Sequence, residues 1–124
     1  MDDKRYTKEH EWIKLEENIA TIGITDHAQE SLGDIVFIEL PKVGTVVNAG
    51  QEVSVVESVK AASDIYSPID GEIIEVNTKL KDEFALLNQD AENEGWIFKV
   101  KISNLDQLKV LLSLDEYKKF LIQN

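Results

Sequence analysis

Cysteine is absent from all 124 residues. That excludes disulfide frameworks, thiolate nucleophiles and most zinc sites together. Redox chemistry, if there is any, must come from an attached group or a partner. Histidine is scarce as well. Only His10 and His27 titrate near neutrality when unperturbed, and neither lies in a nucleophile motif such as Gly-x-Ser-x-Gly. No glycine-rich phosphate loop occurs, and no metal site is expected. Long apolar runs are missing too, since nothing approaches the roughly 18 residues of a membrane span. The start, Met1-Asp2-Asp3-Lys4-Arg5, has neither the apolar stretch of a secretory signal nor the Arg- and Ser-rich character of a transit peptide. A cytoplasmic protein, or a processed matrix protein, is the expectation. Basic residues are in deficit, 13 against 24 acids, for a net charge of −11. Binding to phosphate backbones and to anionic membranes both depend on clustered Lys and Arg, so neither nucleic acid nor a membrane is an expected partner. Acidic charge suits solubility and steering toward positive surfaces. Among 24 acids some pair of carboxylates is always close, so no acid–base pair is assigned and an enzyme working with its own side chains is not expected.

What is present is a run of short β-rich segments. Trp12 to Leu15 and Ile19 to Ile24 flank the polar turn Glu16-Glu17-Asn18. Between Thr25 and Gly33 the pattern becomes helical: Thr25 can cap, Ala28 and Leu32 fall four apart, and Gly33 can close the end. Strands are expected at Ile35 to Leu40, stopped by Pro41, and at Val46-Val47, Val53 to Glu57, Ser63 to Ser67, Glu72 to Val76 and Trp96 to Ile102. The polar stretch Asn77 to Gly95 reads as a long surface loop holding a turn or short helix. From Asn104, Leu105, Leu108, Leu111 and Leu112 recur at helical steps, and Asp115-Glu116 opens a second short helix with Tyr117, Phe120 and Leu121 on one face. Trp12, Phe37 and Trp96 are expected in the core, and His10 in a structural role. No linker divides the chain, so residues 1–124 are expected to form one mainly β domain with terminal helical packing.

One segment draws chemical interest. Glu57-Ser58-Val59-Lys60-Ala61-Ala62-Ser63-Asp64 joins two β-rich runs by a short connection, and the simplest structure is a hairpin with Lys60 near its tip. Small neighbours leave such a lysine open to a modifying enzyme, and a hairpin supports it rigidly. On spacing alone, a solvated turn lysine is the stronger reading.

Resemblance alters that balance. Gly50 to Gly71, with Glu57-Ser58-Val59-Lys60-Ala61 and Tyr66-Ser67-Pro68-Ile69-Asp70-Gly71-Glu72, resembles the lipoyl-attachment region of glycine cleavage H-proteins. Tyr6-Thr7-Lys8-Glu9-His10-Glu11-Trp12 is similar to the family's opening. Gly23 to Gln29, Leu32 to Pro41 and Glu94-Gly95-Trp96 resemble its further signatures in the same order. The likeness covers roughly Tyr6 to Leu121. Two departures stand out: the family's Pro-containing stretches are missing between Lys81 and Gly95, and Glu9 stands where some members carry a small hydroxyl residue.

The resemblance implies a barrel-sandwich hybrid of two antiparallel sheets, with a short helix near 26–32 and a helical C-terminus near 104–122. It implies lipoic acid in amide linkage to Lys60, flanked by Glu57, Ser58, Val59, Ala61 and Asp64. It also implies a cleft for the loaded arm, in which Glu11, with Asp64, would face the aminomethyl cation. The implied partners are glycine decarboxylase (P-protein), aminomethyltransferase (T-protein), dihydrolipoyl dehydrogenase (L-protein), and a lipoate ligase or lipoyl transferase, met by a monomeric carrier. The alternatives are a lipoyl depot supplying other complexes, a 2-oxo acid dehydrogenase lipoyl domain, a biotin carrier, or a scaffold with Lys60 unmodified. The tips of the two other carriers usually read Asp-Lys-Ala and Met-Lys-Met, against Val59-Lys60-Ala61 here.

Overall fold

Alternation with a period of two builds most of the molecule. The computed structural model describes residues 4–123. Six strands form one antiparallel sheet in the order β1 (Lys4–Tyr6), β2 (Glu11–Glu16), β3 (Ile19–Ile24), β9 (Phe98–Ile102), β8 (Gly71–Val76) and β5 (Val46–Val47). A second antiparallel sheet holds β4 (Ile35–Glu39), β6 (Glu52–Ser58) and β7 (Ala62–Tyr66). Their apolar faces meet. Ile13, Ala20, Ile22, Phe98, Val100 and Ile73 of the larger sheet are buried in one cluster with Ile38, Val56 and Ile65 of the smaller. The expected mainly β class, with two antiparallel sheets and a few short helices, is the observed one.

Helix α1 (Asp26–Leu32) is capped as its sequence suggests. The Thr25 side chain accepts a hydrogen bond from the Ala28 N–H, and the Gly33 N–H closes the helix onto the Gln29 carbonyl. Gly33 has φ +81, a conformation in which a Cβ is strained.

Three expectations need correction. Phe37 is not core: it is 46% exposed, its ring 6.4 Å from that of Phe84. A β-bulge between Ile35 and Phe37 turns Ile35 and Ile38 inward and leaves Val36 and Phe37 outside. Trp96 is only partly buried, at the edge of a satellite cluster formed by Tyr6, Trp12 and Tyr117. The stretch from Asn77 to Gly95 holds the expected turn and short helix but is more than a surface loop. A 3₁₀ turn at Thr78–Lys81 and helix α2 (Leu86–Gln89) deliver Leu80, Leu87 and Ala91, each fully buried, into the main core. The C-terminal region holds the two helical pieces expected, a 3₁₀ segment Leu105–Val110 and α3 (Leu114–Gln123), divided where Leu112 forms a β-bridge with Tyr6. No helix among the described residues is long and apolar enough to cross a membrane.

Candidate functional site

Strands β6 and β7 pair from Glu57–Ala62 down to Glu52–Tyr66, so Val59, Lys60 and Ala61 form the connection. Ser58 organises it. The Ser58 N–H donates to the Ala61 carbonyl at 2.7 Å. The Ser58 hydroxyl donates to that same carbonyl at 3.1 Å and accepts the N–H groups of Ala61 and Lys60 at 3.1 and 3.3 Å. The turn is thus satisfied internally, while Lys60 is exposed and Val59 is 70% exposed. The tip also rests on the chain after α1. Val59 N–H donates to the Asp34 carbonyl at 3.1 Å, and the Lys60 side chain passes over Gly33, its Cε 3.7 Å from where a Cβ there would stand.

That support is braced in turn by Asn88 of α2. Its amide accepts the Ile35 N–H at 2.9 Å and donates to the Gly33 carbonyl and to Gln29. Asn88 lies in the stretch expected as a surface loop with a turn or short helix, and only its contacts disclose the role.

Of the acids expected near the arm, Glu57 and Asp64 are exposed on the outer face of the hairpin. Along β7, Ala62, Asp64 and Tyr66 share that face because Ile65 points inward. Glu11 lies elsewhere. It opens β2 and is 1% exposed, so it is buried where the two sheets meet. One carboxylate oxygen accepts the Thr7 hydroxyl at 3.0 Å and the other accepts the Tyr66 N–H at 2.9 Å. Thr7 is itself held by the N–H groups of Glu9 and Glu11. Among the described residues, no ion pair reaches Glu11. Burial pushes its carboxyl up to about 7, against the pull of the two hydrogen bonds, and the charge on Glu9 adds to the rise.

A cleft of about 330 Å³ opens beside it, lined by Thr7, Glu9, Glu11, Tyr66, Pro68 and Leu111 among others. Lys60 and Glu11 are therefore not neighbours. They lie at opposite ends of β7, about 14 Å apart along the strand at ~3.4 Å per residue. Thr7, Pro68 and Leu111 could not have been picked out from the sequence, since they meet only where three distant segments converge. His10, in a left-handed backbone (φ 68), donates to or accepts from the Tyr117 hydroxyl at 2.8 Å and so ties the turn before β2 to α3. A buried, unpaired carboxylate in a partly apolar cleft is suited to hold a cation.

The comparisons with known proteins agree with one another. The family model described as Glycine cleavage H-protein matches residues 4–124. A glycine cleavage system H protein of Thermotoga maritima is 51% identical over 123 residues, covering 99% of each chain. One from Alcanivorax borkumensis is 54% identical over 114 residues, covering 92% of this chain and 89% of the relative. The crystal structure of a glycine cleavage system H protein from Mycobacterium marinum superposes with a TM-score of 0.87 at 38% identity, over 96% of both chains. Matched over almost its whole length in sequence and in fold, the chain belongs to the glycine cleavage H-protein family.

Proposed function

We propose that the chain is a lipoyl carrier, with lipoic acid in amide linkage to Lys60, that serves glycine cleavage as the shared substrate of its enzymes and has no catalytic residue of its own. One observation carries this reading: an exposed lysine on an internally bonded hairpin tip lies one strand's length from a buried carboxylate without a cation. Bound there, the lipoyl group supplies a dithiol–disulfide couple and a sulfur on which a one-carbon amine travels from glycine decarboxylase to aminomethyltransferase, with dihydrolipoyl dehydrogenase restoring the disulfide. The residues present fit such a group. Ala61, Ala62 and Ser63 leave the approach to Lys60 open, and the outer face of β7 leads from the tip to the cleft.

The rest follows from the chain's own residues. Amide formation removes the Lys60 charge, so an extended arm can lie along β7 without drawing the ammonium away from water. Asp64 stands midway on that face. Glu11 would receive the ammonium of the cargo at the far end. Near neutrality its carboxyl is poised between protonated and charged forms, and an arriving cation favours the charged one. The walls at Pro68 and Leu111 keep the site partly dry, which strengthens the pairing and slows loss of the cargo to water. Tethering keeps that cargo at high effective concentration for each enzyme in turn.

Intact mass with peptide mapping, on protein made in a lipoate-producing host with a competent ligase, tests the attachment. The expected result is one lipoyl increment on Lys60, absent from Lys60→Ala. An unmodified Lys60, or a biotinyl increment, would overturn the proposal. A second measurement addresses Glu11. In Glu11→Gln, lipoylation should be unchanged while the loaded carrier loses its cargo to water about tenfold faster, from the loss of one charge-assisted contact.

A further inference from the structure

The outer face of the six-stranded sheet carries a feature that lipoyl transfer does not use. Cross-strand registry places Lys4 opposite Lys14, Lys14 opposite Thr21, and Thr21 opposite Lys99. These four side chains therefore form one row on one face. Like charges directly opposite one another disfavour pairing, yet β1 and β2 place Lys4 and Lys14 in that relation. Trp12 and Trp96 flank the row. The Lys4 ammonium sits 4.9 Å from the Trp12 ring centroid and that of Lys99 5.0 Å from Trp96. Together they line a cleft of about 320 Å³, a size suited to a small molecule.

The charge there differs from that of the chain as a whole. Three ammonium groups line the cleft with the carboxylates Glu16 and Glu92, and Glu75 stands beside Lys99, so the patch is locally balanced on a protein of net charge −11. Lys4 and Lys99 each stand near a carboxylate, at 3.9 Å from Glu92 and 3.7 Å from Glu75. Lys14 pairs with no carboxylate among the described residues. Trp12 packs flat against Gly23, where a Cβ would stand only 2.8 Å from the indole, and its Nε1–H is anchored on the Ala91 carbonyl at 2.9 Å. The floor is therefore rigid. The site is also separate from the carrier apparatus, since Trp12 and Glu11 are adjacent on β2 and point to opposite faces.

We propose that this cleft binds a small multivalent anion, phosphoryl or polycarboxylate, held by Lys14 together with Lys4 and Lys99. Lysine serves such ligands as a point charge, and the partly shielded indole floor lowers the local screening. The site does not depend on whether Lys60 carries a lipoyl group.

Intrinsic fluorescence tests it directly, because Trp12 and Trp96 are the only two tryptophans of the chain. The full-length protein is titrated with pyrophosphate and, separately, with citrate, ionic strength being held constant with sodium chloride. A saturable change is expected, with Lys14→Gln raising the half-saturation concentration about tenfold. Lys14→Arg should retain binding, and Lys118→Gln on α3 should behave as the parent. Saturation by pyrophosphate alone assigns phosphoryl ligands, by citrate alone polycarboxylates, and by both an anion read through charge only. A non-saturable response, or one unaffected in both Lys14→Gln and Lys99→Gln, overturns the proposal. Thermal melts of each variant separate lost binding from lost fold.

Discussion

Glu11 is the buried carboxylate of the candidate cleft. Its carboxyl titrates at about 7 in the fold, against an ordinary 4.5, because burial penalises the charge more than the Thr7 and Tyr66 hydrogen bonds favour it. Between those two values the folded protein holds a proton that the unfolded chain has released. Stability contributed by Glu11 is therefore full below about pH 4.5 and falls as pH rises toward and past 7, by at most about 3 kcal/mol. His10 acts in the opposite sense. Burial, with the neighbouring His27 charge, lowers its value, so its contribution grows as pH rises through the range just below 6.5. Comparing the parent with Glu11→Gln cancels the histidine effect. Urea unfolding at pH 5 and at pH 8 should show the parent losing stability relative to the variant at the higher pH. Parallel pH profiles for the two proteins would refute the buried-carboxylate reading.

Among the elements, the β6–β7 hairpin depends on Ser58 more than on any tip residue. One hydroxyl serves the Ala61 carbonyl and two N–H groups of the turn. Ser58→Ala leaves those N–H groups to water at the exposed tip, so the stability cost is small, about 1 kcal/mol. The local effect is larger. Amide exchange at Lys60 and Ala61 should accelerate about tenfold while exchange in β3 and β9 stays as in the parent, readable by hydrogen–deuterium exchange. The support from α1 explains why the turn is held from two sides: Asp34 accepts the Val59 N–H, and Asn88 fixes the residues around Asp34.

Charge is a property of the whole molecule. Glu39, Glu57 and Asp64 are exposed on the outer face of the small sheet, and none is ion-paired among the described residues. Lys4, Lys14 and Lys99 occupy the opposite sheet. This separation favours encounters in which the Lys60 hairpin meets a basic partner first. The association rate with the proposed partner, glycine decarboxylase, followed by stopped flow, should fall about tenfold as ionic strength rises from ~0.01 M to ~0.15 M, since the screening length shrinks from ~30 to ~8 Å. The double variant Glu57→Gln with Asp64→Asn should flatten that dependence.

Local patterns carried much of this structure. Alternating apolar residues marked β3, a valine-rich run marked β6, Thr25 and Gly33 bounded α1, and small residues around Lys60 announced an open turn. Each of these signals lies within a few consecutive residues, where backbone geometry and side-chain direction are coupled. Other features are set by residues far apart in the chain. A bulge opposite β6 decided that Phe37 faces outward. Core space between the sheets decided that Leu80 and Leu87 are buried within a polar stretch. The depth of Glu11 is set by Tyr66, 55 residues away, and the lysine row by the registry of four strands. The amino-acid order was enough to specify the family, most of the strands and the exposed lysine, because those are written locally, whereas β1 is defined only by its pairing with β2. The buried carboxylate and the lysine-lined cleft exist only once the sheets have closed, because burial and charge proximity are properties of packing.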